Sequence, residues 1–178
     1  MNYPLLPYYE QIVSSLPGSW TLEPVSPEFA DSNFRATCAG ACLHFRHENG
    51  RVIVRPSVPF ELHQHQESNL PECKTTFAVE RSPSLAAGQI TRAILPEAVR
   101  RLALARGRKS TIDFHAAKSA ETVRRMTEAG FGQWSGENTM VMDRHRLYAA
   151  ATGDRVRFDS FYLDTDKAVK LAEFLKAL

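Results

Sequence analysis

An Asn49-Gly50 dipeptide, set between two segments that alternate apolar and polar residues, constrains this chain more than any other feature. A two-residue type I′ turn needs positive φ at both central positions, which asparagine and glycine supply at little cost. Its twist also matches that of the antiparallel strands it joins. The dipeptide therefore predicts a hairpin, with residues 35–47 as one arm and residues 51–58 as the other, closed off by Pro56 and Pro59.

Other signals surround that hairpin. Residues 8–16 predict a short helix with Ile12, Val13 and Leu16 on one side, stopped by Pro17-Gly18. Residues 19–25 alternate as a half-buried strand with Trp20 and Leu22 inward, held to an edge or a short length by Pro24 and Pro27. Residues 61–74 are polar and predict a loop, followed by a strand over 75–80. Ser82-Pro83 opens a helix, serine capping its free amides, with Leu85, Ala86, Ile90 and Ile94 on one face. Pro96 has no amide hydrogen, so it must kink that helix or restart it, and Gly107 is the expected stop. Thr111-Ile112-Asp113-Phe114-His115 alternates as a strand, and Ser119 caps a further helix that Gly130 ends.

Short strands follow at 139–142, 147–151 and 155–163, with Gly153-Asp154 as a turn. Asp164-Thr165-Asp166 then caps a last helix whose Ala168, Leu171, Ala172, Leu175 and Leu178 form an apolar stripe. Antiparallel strands with helices segregated to one side define the α+β class. With 178 residues, one domain is the default, and the neighbourhood of Ser110 is where two similar-sized subdomains would divide.

Such a chain can bury enough surface to fold without a metal or a disulfide. Its three cysteines, Cys38, Cys42 and Cys73, suggest no disulfide framework and point to a reducing compartment. The first ten residues lack the basic start and apolar core of a signal peptide. No run approaches the length of a membrane span. A cytoplasmic location without membrane contact is expected.

Candidate chemistry is sparse. His63, His65 and Glu67 alternate, so on an extended segment all three would share a face and could converge on one divalent ion. The plainer reading is a solvated polar loop. Cys38, Cys42 and His44 would point the same way along an uninterrupted strand, with His47 close by. Cys38 and Cys42 would then stand about 13 Å apart, too far for one zinc ion, so two small thiols on a packed strand are expected. Asp113 and His115 could serve acid–base chemistry, although an exposed face is the simpler account. No nucleophile elbow, phosphate loop or dinucleotide fingerprint is present. A chain without catalysis or cofactor is expected.

Charge is the stronger lead. Residues 81–109 hold Arg81, Arg92, Arg100, Arg101, Arg106, Arg108 and Lys109 against a single acid, Glu97, while the whole chain carries only +2. Arg92, Arg100, Arg101, Arg106, Arg108 and Lys109, supported by Arg124 and Arg125, are the expected contact surface for a protein partner or a nucleic acid. Guanidinium groups form paired hydrogen bonds to phosphate and keep their charge at every relevant pH. The competing account is that Glu121, Glu128 and other acids neutralise them within the fold.

The running order resembles that of small uncharacterised α+β proteins carried by bacterial phages and other mobile elements. Three parts carry the resemblance: residues 35–59, residues 76–104 with their Ile90-Thr91-Arg92-Ala93-Ile94-Leu95-Pro96 core, and residues 156–178. It implies no catalytic residue. It does imply a setting in which accessory proteins bind nucleic acid or block a host defence complex, as anti-CRISPR proteins do. The function expected from it is surface binding to a host nucleoprotein or defence complex. Direct nucleic-acid binding by the same arginines is the alternative, and a metal-dependent enzyme at His63, His65 and Glu67 a further one.

Overall fold

The computed structural model describes residues 4–25, 33–133, 138–142, 147–158 and 161–177. The expectations at residues 1–3, Pro27 and Leu178 lie outside those residues. The fold is α+β, and the chain divides into two compact units, Met1–Lys109 and Ser110–Leu178. No helix of the described residues is long and apolar enough to cross a membrane.

The first unit opens with helix α1 (Leu6–Ser14). A five-stranded sheet follows: β1 (Thr21–Pro24), β2 (Asn33–Cys38), β3 (Ala41–Glu48), β4 (Arg51–Ser57) and β5 (Thr75–Ala78), in the order β1-β2-β3-β4-β5. Every neighbouring pair is antiparallel. The Asn49-Gly50 turn lies where the dipeptide predicts it, both residues at positive φ (51° and 71°), with Glu48 opposite Arg51. The arm before it differs from the expectation. The chain reverses a second time at Ala39-Gly40, again with positive φ at both positions (51° and 86°), so residues 35–47 span two strands and Cys38 opposes Ala41.

That second reversal decides which face each side chain takes. Phe34, Ala36, Leu43, Phe45, Val52, Val54 and Phe77 point to one side of the sheet. There α1 (Tyr9, Ile12, Val13), helix α2 (Pro83–Ala93; Ala86, Ala87, Ile90) and, beyond it, Ile94 and Ala98 cover them. Each large apolar side chain buried this way contributes roughly 1.5–3 kcal/mol. The opposite face carries Arg35, Thr37, Cys42, His44, Arg46, Ile53 and Arg55, mostly polar and at least partly exposed except for the buried Cys42. Cys38 and Cys42 therefore lie on opposite faces of two neighbouring strands, not in line on one strand. The residues expected as part of a loop at 61–74 begin as a 3-10 helix, Phe60–His65.

α2 ends at Ala93 and α3 (Leu95–Glu128) starts afresh, with Pro96 in its first turn, where a missing amide hydrogen is harmless. Ser82 stands at the N-cap of α2, but its hydroxyl meets that of Ser84 at 2.9 Å rather than an amide. α3 runs for 34 residues, so Gly107 does not stop it, residues 111–115 are helical rather than a strand, and Ser119 lies inside a helix instead of capping one. Ile112 and Phe114 are both exposed, so the alternation around them marks no buried face.

The second unit holds the rest of α3, then β6 (Gly132–Gln133), β7 (Thr139–Met142), β8 (Leu147–Thr152), β9 (Arg155–Phe158), β10 (Phe161–Asp164) and helix α4 (Thr165–Ala177). Its sheet order is β10-β9-β8-β7-β6, antiparallel throughout. α3 closes on Gly130 at φ 107°, where Phe131 N–H reaches the Met126 carbonyl and Gly130 N–H that of Thr127, both at 3.0 Å. This is the paired Schellman closure, and the apolar contact that accompanies it comes from Met126 and Phe131 in one core with Met140, Val156, Phe158, Ala168 and Ala172. Asp164 caps α4 by accepting from Lys167 N–H at 2.9 Å. The Thr122 hydroxyl donates to the Gly153 carbonyl at 2.8 Å and Gly153 N–H donates to Ser119 Oγ at 2.7 Å, which ties α3 to the β8–β9 turn.

Candidate functional site

The basic residues singled out in the sequence divide between the units. Arg92, Arg100, Arg101, Arg106, Arg108 and Lys109 belong to the first, Arg124 and Arg125 to the second. In the second unit Arg124 donates to both oxygens of Glu121 and also to Glu128, while Arg125 donates to Asp166 at 2.7 Å. The Arg124 guanidinium holds Glu121 below the usual carboxylate range.

In the first unit Glu97 accepts from Arg100 (2.7 and 2.8 Å) and from Arg101 (2.8 Å). These bonds push its carboxyl down to about 2. Arg101 is only 10% exposed and also donates to the Pro71 carbonyl, so it works as an internal tie. Arg100 and Arg108 are half exposed, and Arg108 bonds Glu67 at 2.8 Å. The Arg106 guanidinium lies over the Ala39-Gly40 turn, 2.5 Å from where a Cβ on Gly40 would stand. Arg92 and Arg106 have no ion-pair partner among the described residues.

The metal expectation at His63, His65 and Glu67 needs an extended segment, and the structure does not supply one. Both histidines sit in a 3-10 helix, where three residues per turn place positions two apart about 240° apart around the axis. His63 Nε2 bonds the Val58 carbonyl at 2.9 Å, His65 is buried, and Glu67 is taken by Arg108. Among the described residues, no group of three or more histidine, cysteine or acidic side chains could hold a metal ion. His115 and Asp113 lie on α3, not on a strand.

A second cationic cluster, absent from the sequence reading, stands on the open face of the first sheet. The register puts Arg35 (β2), His44 (β3) and Arg55 (β4) on one rung across three strands. With His63, Ser57, Pro56 and Val25 they line a cavity of about 310 Å³. Arg35 has no ion-pair partner among the described residues, and Arg55 reaches Glu72 at 3.1 Å. Burial, then the charges of Arg35, Arg55 and Arg46, hold the His44 imidazole below its ordinary pKa. Cys42, on the same face, is fully buried and its thiol is raised by that burial.

Part of this was within reach of the sequence. Once Glu48 faces Arg51 across the Asn49-Gly50 turn, His44 must face Arg55. Arg35 joins them only through the Ala39-Gly40 turn, and an alanine at positive φ gives no compositional warning. Fold and surface thus define an α+β chain with two antiparallel sheets and basic clusters on its first unit. No protein family, curated protein or solved structure matches it.

Proposed function

We propose that this protein acts by surface contact rather than catalysis, docking the α2–α3 segment of its first unit on an anionic partner. A host nucleoprotein or defence complex is the partner suited to a mobile-element accessory protein of this kind. One observation carries the reading. Five guanidinium groups, Arg92, Arg100, Arg101, Arg106 and Arg108, are met by two carboxylates, Glu97 and Glu67, among the described residues. Exposed ion pairs are worth about 0–1 kcal/mol, so a phosphate or a partner carboxylate can replace Glu67 at Arg108 or compete for Arg100 with little loss. Arg101 is withdrawn from the contact set, because its side chain is engaged and enclosed.

The test is capture from a bacterial lysate with and without nuclease, using the wild-type chain and the double variant Arg100→Glu, Arg108→Glu. A partner that survives nuclease and is lost with the double variant supports protein docking through α3. A partner that disappears with nuclease favours direct nucleic-acid contact by the same arginines. Unchanged capture by the double variant rejects this helix as the contact surface.

A further inference from the structure

We propose that Arg35, His44, Arg55 and His63 form a binding cup for the phosphate of a nucleotide, free or within a single strand, with Phe60 as the ring on which its base stacks. The inference does not depend on the α3 reading, since it uses another face and other residues.

The cup is built on paired strands. Arg35, His44 and Arg55 occupy one rung of a continuous antiparallel ladder, so their backbones are fixed before any ligand arrives. Preorganised donors lose less freedom on binding than side chains on a loop. Arg35 is partly buried and has no ion-pair partner among the described residues. Ser57, one rung further along the same face, adds a hydroxyl to the lining. His63 donates from Nε2 to the Val58 carbonyl, so its ring serves as a wall of the cup rather than as a donor to the phosphate.

Among the described residues the acids near the cup are Glu23, Glu61 and Glu72, and none of the three lines the cavity. Glu23 faces Arg35 across β1 and β2, the charge of Glu61 is felt at Cys42, and Glu72 holds Arg55 in an exposed pair that an incoming anion can replace. Two guanidinium groups with the His44 imidazole between them favour phosphate over carboxylate. One guanidinium fork satisfies a carboxylate, whereas the oxygens of a phosphate can use several donors at once.

Two observations extend the ligand from phosphate to nucleotide. A cavity of about 310 Å³ is roomier than a bare phosphate needs and lies at the lower end of small-molecule sites. Phe60 is 77% exposed beside the cup, its ring centroid 5.7 Å from that of His63. An exposed aromatic ring next to a cationic groove is the arrangement that single-stranded nucleic-acid binders use to hold a base beside its phosphate.

The experiment is titration of the whole chain at low salt with inorganic phosphate, adenosine monophosphate and octathymidylate, followed by calorimetry and by the amide spectra of β2–β4. Adenosine monophosphate or octathymidylate should bind and shift the strand amides. Arg35→Gln and, separately, Arg55→Gln should weaken that binding roughly tenfold or more, the scale of a lost hydrogen bond to a charged group. Phe60→Ala should weaken nucleotide binding and leave inorganic phosphate unchanged. Tighter binding of octathymidylate assigns the cup to a strand, and tighter binding of adenosine monophosphate to a free nucleotide. Lys170→Glu, an exposed charge reversal on α4, should bind as wild type does. The proposal is overturned if neither nucleotide probe binds, or if binding is unchanged in both folded cup variants. It is also overturned if the α3 double variant alone abolishes binding.

Discussion

Arg101 donates from Nη2 to the carbonyl oxygen of Pro71 at 2.8 Å, bridging 30 positions of sequence. Its Nε meanwhile holds Glu97 at 2.8 Å, so one enclosed guanidinium fastens α3 to the irregular stretch before β5. Hydrogen bonds of a charged group contribute about 1.5–3 kcal/mol when enclosed, whereas exposed ion pairs contribute about 0–1 kcal/mol. Arg101→Ala should therefore lower the unfolding free energy by about 2 kcal/mol, and Arg100→Ala by clearly less. Urea unfolding of both variants checks this, and equal losses would show that Arg101 is no tie.

Glu97 gives the fold a pH signature. Two arginines stabilise its charged form, so its carboxyl titrates near 2 in the folded chain against 4.5 for a free glutamate. A depressed folded pKa means that the unfolded chain binds the proton first as pH falls. The stabilisation is complete above about 4.5 and is lost progressively as pH drops toward 2. Glu97→Gln should be less stable than wild type at neutral pH, and the gap should narrow through that window. A gap that stays constant between about pH 5 and pH 3 would mean that the ion pairs contribute nothing.

What could be read in advance follows how local each cause is. The Asn49-Gly50 hairpin, the restart at Pro96, the Gly130 closure and the Asp164 cap depend on a few adjacent residues, and the structure has all four. The continuity of α3 does not. Thr111-Ile112-Asp113-Phe114-His115 alternates like a strand, yet side chains two apart on a helix lie about 200° apart, and here Ile112 and Phe114 both face water. That stretch lies between buried positions of the same helix. Leu102 and Ala105 are buried before it, and Ser119, Thr122 and Met126 after it. The candidate sites divide the same way. Glu97 lies three and four positions before Arg100 and Arg101, a spacing any helix would join. Glu67 with Arg108, 41 positions apart, needed the tertiary fold, and so did the rung that unites Arg35 with His44 and Arg55.

The Ala39-Gly40 turn should respond oppositely at its two positions. Ala39 adopts φ 51°, a left-handed conformation that costs a non-glycine residue about 1–2 kcal/mol. Ala39→Gly relieves that strain but adds freedom to the unfolded chain, for a net gain of about 0.5 kcal/mol. Gly40 sits at φ 86°, and a Cβ there would also press on the Arg106 guanidinium. The guanidinium can move aside, but the backbone strain remains, so Gly40→Ala should cost about 1–2 kcal/mol. Thermal unfolding of both variants should shift in opposite directions; two losses would mean that Ala39 is not strained.

Tyr9 offers a sharper reversal of the usual outcome of core substitution. Its ring is fully buried between Phe34 and Phe45, with centroids at 5.1 and 5.4 Å, and its hydroxyl has no hydrogen-bond partner among the described residues. Burial pushes the phenol well above its ordinary pKa, so the group stays neutral and the cost is that of an unmet hydroxyl. Burying such a group without a partner costs roughly 1–3 kcal/mol by mutational measure. Tyr9→Phe keeps the ring and its packing while removing the unmet hydrogen bond, so it should raise stability by about 1 kcal/mol. Urea unfolding at neutral pH reads this directly. A loss of about 1 kcal/mol instead would show that the hydroxyl is satisfied, by an enclosed water or by a group outside the described residues.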